Sequence, residues 1–293
     1  MKSITIFTPT YNRAYLLPQL YNSLVNQTNK DFIWLVIDDG SSDNTKKLVS
    51  NWKKKSEINI QYIYQENQGM HGAHNTAYKN IDTELNTCID SDDYMPNDAV
   101  KKILVFWDKN KTKKYAGLVG LDMDKNNNII GSKFPTQLKE ATLTEIYHKY
   151  KVTGDKKLVY RTDVVNKYPP YPIFKGEKFV PLGYLYSLID KNYTLLVLNE
   201  PLCIVEYLSD GSTMNIFKQY IKNPRGFIFS RIERMKNPYN FKDLVKNTLH
   251  YISSNFLIKN KRLITESPKK FLTFLLLPFG FILYLYTLKK ANS

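Results

Sequence analysis

From Ser3 to about residue 110 the chain alternates short apolar runs with helix-like segments, and no other feature limits its fold as strongly. Ser3–Pro9, Phe32–Ile37, Ile58–Tyr64 and Leu85–Ile89 read as strands. Between them, Ala14–Asn26 sets Leu16, Leu20 and Leu24 on one helical face. A helix from about Thr45 buries Leu48, Val49 and Trp52, another runs from about Gly72 to Tyr78, and one from Pro96 carries Val100, Ile103, Leu104 and Trp107. Parallel strands need crossovers of helical length, so this alternation predicts an α/β fold with a mainly parallel central sheet and helices on both faces. Past Tyr115 the regularity weakens. A hairpin is expected from Tyr115–Leu121 and Ile129–Ser132 around Asp124–Asn128. Further strands are expected at Lys157–Arg161, Thr194–Leu198 and Leu202–Tyr207, with a helix at about Val180–Asp190. This predicts one α/β domain over 1–215, with halves at 1–110 and 111–215, followed by a basic helical region over 216–293.

In an open α/β sheet, ligands bind outside the carboxyl ends of the strands. Here those ends carry Thr8-Pro9-Thr10-Tyr11-Asn12-Arg13, Asp38-Asp39-Gly40-Ser41-Ser42, Glu66–Asn75 and Asp90-Ser91-Asp92-Asp93. Four polar loops on one sheet should converge on one rim, and their composition suits a nucleotide. Asp90 and Asp92, one residue apart past a buried strand, can hold a hard divalent cation and a ribose hydroxyl together. Mg²⁺ or Mn²⁺ takes one or two carboxylates alongside substrate phosphates. The same four residues would also cap the helix that begins near Pro96.

Charge separates the chain into two parts. The formal net charge is +15 over 293 residues, and Lys222 to Ser293 holds 14 Lys/Arg against 3 Asp/Glu. A nucleic-acid enzyme spreads its basic residues along a groove; here they sit in one block with the most apolar stretch of the chain, which fits an anionic membrane surface instead. That stretch, Phe271–Leu288, is uncharged, is interrupted by Pro278 and Gly280, and is flanked by Lys269-Lys270 and Lys289-Lys290. A membrane-surface element is expected, with a true span or a buried or dimer helix as the alternatives. The N-terminus lacks a basic region followed by a long apolar stretch, so a cytoplasmic chain is expected, and with the C-terminal block the expected location is the cytoplasmic face of the membrane, peripheral or monotopic. Cys88 and Cys203 lie far apart in apolar runs and read as reduced and structural.

The four loop motifs, in this order, resemble the signature of family-2 glycosyltransferases over roughly residues 3–210. The resemblance implies a GT-A fold, a nucleotide-diphosphate sugar donor with a UDP-sugar favoured, Mn²⁺ or Mg²⁺, and inversion at the anomeric carbon. Carried over by position, Thr8, Pro9 and Tyr11 would cradle the base, with Tyr11 stacking on it, and Asp39 would accept the base N3–H. Gly69 and Asn75 would shape the donor wall, and Arg13 and Ser91 belong to the same donor-binding set. Asp90 would lie near the ribose and Asp92 would ligate the metal. Read without the family, Tyr11 is a surface aromatic and Asp39 a helix cap.

An inverting transfer needs a base for the acceptor hydroxyl. In the family this base comes from an acidic pair, and here Gly176-Glu177-Lys178 occupies the expected region with a lysine in the second place. Glu177 is the candidate base; its other reading is a helix N-terminal glutamate favoured by the macrodipole. Glu206 and Asp210 are weaker candidates, in a run, Glu206–Thr213, that resembles a donor-covering segment and equally suits a plain loop. His71 and His74 fit packing or a phosphate contact. No Gln-x-x-Arg-Trp pattern of processive synthases occurs, so one sugar per encounter is expected. The acceptor would be a saccharide or lipid-linked saccharide of capsule, lipopolysaccharide or a teichoic-acid-like polymer, and the C-terminal helices leave room for an oligomer. The competing readings are a sugar-nucleotide nucleotidyltransferase, which would need a Gly-rich basic loop where Thr8–Arg13 has none, and a non-catalytic nucleotide-sugar-binding protein.

Overall fold

A computed structural model describes residues 2–206 and 216–292. These gather into two compact units, one drawn from 2–68, 72–170 and 185–206, the other from 69–71, 171–184 and 216–292.

The first unit holds a mixed sheet of eight strands: β1 (Ile4–Thr10), β2 (Phe32–Asp38), β3 (Ile60–Tyr64), β4 (Leu85–Cys88), β5 (Tyr115–Met123), β6 (Glu140–Ala141), β7 (Lys156–Arg161) and β8 (Thr194–Ile204). Their order across the sheet is β3-β2-β1-β4-β7-β5-β8-β6. The first four are parallel and alternate with α1 (Leu17–Val25), α2 (Thr45–Lys55) and α3 (Met70–Asn80), as the alternation predicts. α4 (Ala99–Asn110) follows β4. β1 and β2 are buried at all seven positions because helices cover both faces. The core between sheet and helices includes Leu20, Leu24, Trp34, Val49, Trp52, Val100, Ile103 and Trp107. Tyr21 stacks on Trp52 with ring centroids 4.3 Å apart and planes 8° from parallel, a contact worth about 1 kcal/mol beyond the area it buries.

The second half departs from the expected pattern. Ile129–Ser132 forms no strand; its pairing with β5 is one bridge, Met123 to Ile129. Thr194–Leu198 and the start of the run expected at Leu202–Tyr207 are joined in one strand, β8, which ends at Ile204 and whose pairing with β5 carries register shifts on both sides of Pro201. A proline lacks the N–H that a regular ladder requires, so the irregularity falls where the sequence read as a gap. β7 enters antiparallel between β4 and β5. Three short elements carry no long periodic pattern: β6, α5 (Leu143–His148) and α6 (Thr162–Val165). α5 begins with a capping box, Thr142 accepting from the Glu145 amide while Glu145 accepts from the Thr142 amide. α7 (Gly183–Ile189) precedes β8.

The described residues of the second unit include five helices: α8 (Ile216–Lys222), α9 (Pro224–Lys236), α10 (Phe241–Leu257), α11 (Lys270–Leu275) and α12 (Leu277–Asn292). Met235, Tyr251, Ile252 and Leu263 are the centre of a separate core, with Phe256, Leu276 and Leu277 packed on it. The apolar stretch is therefore two helices broken at Leu276. Among the described residues no helix is long and apolar enough to cross a membrane.

Candidate active site

Pairing register brings the first four strands to one rim. Thr10 lies opposite Asp38, Asp38 opposite Tyr64, and Phe7 opposite Cys88. Beyond these ends the polar loops interlock. The Asn12 amide donates to Ser41 Oγ at 2.9 Å, Asn12 Oδ1 accepts from the Ser42 amide at 2.8 Å, and the Ala14 amide donates to Asp43 Oδ2 at 2.9 Å. Asn12 holds a left-handed φ of 53°, which asparagine tolerates better than most residues. Asp39 Oδ1 accepts from Gln65 Nε2 at 2.6 Å and from the Gln68 amide at 2.8 Å, tying the second loop to the third. Arg13 Nη1 donates to Asp92 Oδ2 at 2.9 Å, tying the first loop to the fourth.

The expected donor-site residues of this unit fall into distinct environments. Thr8 and Pro9 lie inside buried β1, and the Thr8 hydroxyl accepts from Trp34 Nε1 at 3.0 Å. Tyr11 is 50% exposed at the rim, and Asp39 is buried. Asn75 is half-buried on α3, Ser91 is buried, and Asp90 and Asp92 are half-buried. His74 packs edge-on against Phe7 and Tyr78 at 5.0 and 5.8 Å.

The acidic turn is electrostatically crowded. Burial raises the Asp92 pKa, the neighbouring Asp90 raises it further, and Arg13 acts against both. Burial also pushes Asp93 well above the ordinary carboxylate range, with Lys157 opposing and Asp90, Asp92 and Asp122 adding to the shift. Asp122, at the end of β5, is pushed up to about 6 by burial, again opposed by Lys157. Asp122 Oδ1 is buried without a hydrogen-bond partner among the described residues. Lys157 Nζ donates to the Cys88 carbonyl at 3.3 Å. Burial works against its charge, but Cys203, Asp122, Asp93 and Asp90 outweigh that and hold its proton more tightly than usual. Lys157 and Asp122 were not anticipated here, and Asp93 was expected only as the last residue of the fourth loop, with no role of its own. Lys157 read only as the start of a strand, and its place beneath the turn depends on β7 pairing with β4, which local sequence does not show.

No group of three or more His, Cys, Asp or Glu among the described residues is arranged to hold a metal ion. Asp90 and Asp92 nevertheless suit a hard divalent cation. Both carboxylates are only partly covered, and the repulsion of Asp90 on Asp92 is opposed by Arg13 without being cancelled. Mg²⁺ takes one or two carboxylates from protein when phosphates complete its shell, and this turn offers two.

Gly69 and Glu177 belong to the second unit. Gly69 has a left-handed φ of 83°, and an added Cβ would sit 1.9 Å from the Lys178 carbonyl, so only glycine fits. Glu177 is buried, and its two carboxylate oxygens accept from the Arg225 and Gly226 amides at 3.0 and 2.9 Å, at the N-terminus of α9. Glu206, in the first unit, has its carboxylate on Gln19 Nε2 at 3.3 Å, and its amide donates to Asp93. Asp210 and the rest of the expected donor-covering run past Glu206 lie outside the described residues.

Residues 5–168 match the family model described as Glycosyl transferase family 2, over half of the chain. Among curated relatives, the GalNAc(5)-diNAcBac-PP-undecaprenol beta-1,3-glucosyltransferase of Campylobacter jejuni is 34% identical over 106 residues, covering 36% of this chain and 34% of that protein. The poly(ribitol-phosphate) beta-N-acetylglucosaminyltransferase TarS of Staphylococcus aureus is 26% identical over 167 residues, covering 56% of this chain and 28% of that one. The chain thus spans about a third or less of the length of the curated relatives it matches. Among solved structures, TarS 1–349 with UDP-GlcNAc superimposes with a TM-score of 0.61 at 19% identity, over 90% of this chain and 76% of that one. The mannosyltransferase PcManGT from Pyrobaculum calidifontis, in complex with GDP-Man and Mn²⁺, gives 0.56 at 14% identity, over 99% and 83%. At these identities the likeness concerns the fold.

Proposed function

The chain belongs to glycosyl transferase family 2 and carries the GT-A fold, and from that premise we propose that it transfers one sugar per encounter, with inversion, from a UDP-sugar to a saccharide or lipid-linked saccharide acceptor. The observation that carries this reading is the interlocked rim. Three hydrogen-bonded loops end beside two half-buried carboxylates that repel each other, and a metal-bound diphosphate is the ligand such a rim accommodates best. Two relatives support the choice of donor and acceptor: TarS was solved with UDP-GlcNAc, and the Campylobacter enzyme is named for a polyprenyl-diphosphate-linked acceptor.

In this reading Tyr11, half-exposed at the rim, stacks on the base. Asp39, whose carboxylate Gln65 and the Gln68 amide hold in place, accepts the base N3–H, which selects uracil or thymine. Thr8 and Pro9 contribute the shape of the strand rather than a free hydroxyl, because Thr8 is engaged by Trp34. Gly69, Asn75 and Ser91 line the donor side. Asp92 with Asp90 would hold Mn²⁺ or Mg²⁺, which when bound neutralises charge on the departing diphosphate. Arg13, released from Asp92, would add a donor to the same phosphates. Glu177 is the proposed base, oriented by the Arg225 and Gly226 amides. The work of the enzyme would be surface-polysaccharide synthesis at the cytoplasmic face of the membrane.

The test is titration of UDP, dTDP, GDP and CMP into the protein with and without Mn²⁺, comparing wild type with Asp92→Asn. Metal-dependent UDP or dTDP binding that the variant loses is expected. Preference for GDP would overturn the role given to Asp39 while leaving the family intact. Absence of metal-dependent nucleotide binding would sink the catalytic reading and favour a binding role.

A further inference from the structure

α11 and α12 reverse the usual arrangement of an amphipathic helix. The residues of α12 turned inward include small ones. Gly280 lies so close to α10 that an added Cβ would sit 2.4 Å from the Ile252 side chain, and Thr287 is buried with its hydroxyl on the Leu283 carbonyl. Tyr284, between them in the same i, i+4, i+7 series, packs on Phe256. The large apolar residues face out instead: Phe271 is 76% exposed, Phe279 60% and Ile282 62%, and Phe274, Leu275, Leu285 and Tyr286 are also exposed. Positions 271, 275, 279, 282 and 286 keep a helical period of three to four residues across the break at Leu276. Water favours the opposite distribution, so a stripe of this length marks an interaction surface.

Charge identifies what covers it. The stripe is uncharged from Phe271 to Leu288, with Lys269-Lys270 before it and Lys289-Lys290 after it. Over residues 241–292 there are nine Lys/Arg and two Asp/Glu. A second copy laid on the stripe would bring lysine pairs against lysine pairs, whereas an anionic headgroup layer neutralises them. The 16 residues of α12 reach about 24 Å at 1.5 Å per residue, short of a hydrocarbon core of about 30 Å. A helix of that length, basic at its far end, lies along a bilayer more readily than through it.

We propose that α11 and α12 form a membrane-docking face that lies in the plane of an anionic phospholipid surface, with Phe271, Phe274, Phe279, Ile282 and Leu285 in the acyl boundary and the flanking lysines among the headgroups. This rests on the reading of a membrane-borne acceptor and specifies how the protein reaches it. No nucleotide or sugar enters its test, so either can fail alone.

The full chain would be sedimented with vesicles of phosphatidylcholine and with vesicles containing phosphatidylglycerol, as wild type and as Phe279→Ser/Ile282→Ser/Leu285→Ser. At least tenfold stronger partitioning onto the anionic vesicles is expected, with a tenfold or greater loss in the triple variant. These side chains are exposed, so the variant should keep the wild-type circular dichroism and thermal midpoint, which separates lost docking from lost fold. In Phe279→Trp, doxyl groups placed high on the acyl chains should quench the introduced indole; the native Trp34, Trp52 and Trp107 are buried in the other unit's core and do not report. Equal, weak binding to both vesicle types would overturn the proposal. So would a dimer in sedimentation velocity that the triple variant converts to monomer, which would assign the stripe to a second copy.

Discussion

Arg13 reaches from the loop after β1 to the turn after β4 and places Nη1 2.9 Å from Asp92 Oδ2, both side chains largely covered at 28% and 17% exposure. The contact joins the first and fourth loops of the rim, and it sets a cation on the carboxylate proposed to hold the divalent ion.

Arg13→Ala should therefore act in opposite directions on two ligands. Mn²⁺ alone should bind a few-fold more tightly, because Asp92 no longer has a competing guanidinium. UDP in the presence of saturating Mn²⁺ should bind about tenfold more weakly, the loss of one charge-assisted hydrogen bond of ~1.5 kcal/mol. Calorimetric titration reads both. An unchanged Mn²⁺ affinity would show that Arg13 does not guard the metal position.

For Glu177 the observed contact with α9 has to be separated from the proposed base role. Glu177→Ala leaves the Arg225 and Gly226 amides without their acceptor and should cost about 1–3 kcal/mol in urea denaturation. Glu177→Gln keeps one carbonyl acceptor and should lose less. If Glu177 takes the acceptor proton, the Gln variant should still lose 10²–10⁴-fold in kcat, about the contribution of a general base, with KM for the donor little changed. Near wild-type turnover by a folded Gln variant would confine Glu177 to capping α9.

Lys157 is the cation beneath the acidic turn. Lys157→Met should destabilise the protein by roughly 3 kcal/mol, because it leaves buried carboxylates without their counter-charge. Adding Asp122→Asn should recover part of that loss, with a coupling of about 1 kcal/mol or more in a double-mutant cycle. Simple additivity would show that Asp122 and Lys157 do not share a charge balance.

His250, on α10, gives a pH signature to the C-terminal helices. Burial, then Arg231, then Lys246 push its imidazole down to about 4. A histidine lowered from 6.5 is neutral when folded and takes up a proton on unfolding, so its contribution is complete above pH 6.5 and is lost as pH falls toward 4. At full development it amounts to about 3 kcal/mol. Wild type should lose stability between pH 6.5 and 4 more steeply than His250→Phe, read from denaturation midpoints across that range. Parallel curves would remove His250 from the balance.

The first half of the fold was legible because its signals are local. Leu20 and Leu24 mark a helix face by spacing alone, although Leu17 and not the half-buried N-cap Leu16 is the buried leucine of its first turn; Trp34 and its neighbours mark a strand by unbroken apolarity, and Asp38–Asp43 marks a stop. Three parallel crossovers then follow from chirality and short connections. The second half was less legible because β7 and β8 are placed by partners far away in sequence. Val159 pairs with Thr87, and Leu196 with Leu118. Nothing within a few residues of Lys157 says that it lies beneath Asp93.

The sequence by itself determined which residues stand at the strand ends and the chemistry they can offer, since the identity and order of the four loops do not depend on how the chain packs. It also determined that charge and apolarity share the C-terminal block. Only the tertiary structure decided how those groups are spent. It committed the Thr8 hydroxyl to Trp34, set Arg13 on Asp92, put Lys157 under the acidic turn and fastened Glu177 to the start of α9. It decided too that Gly280 and Thr287 of α12 face the protein, so that Phe279 and Ile282 face out. Each of these is a contact between residues distant in sequence, fixed by close packing and by the need to pair buried polar groups, and neither condition is visible until the chain has folded.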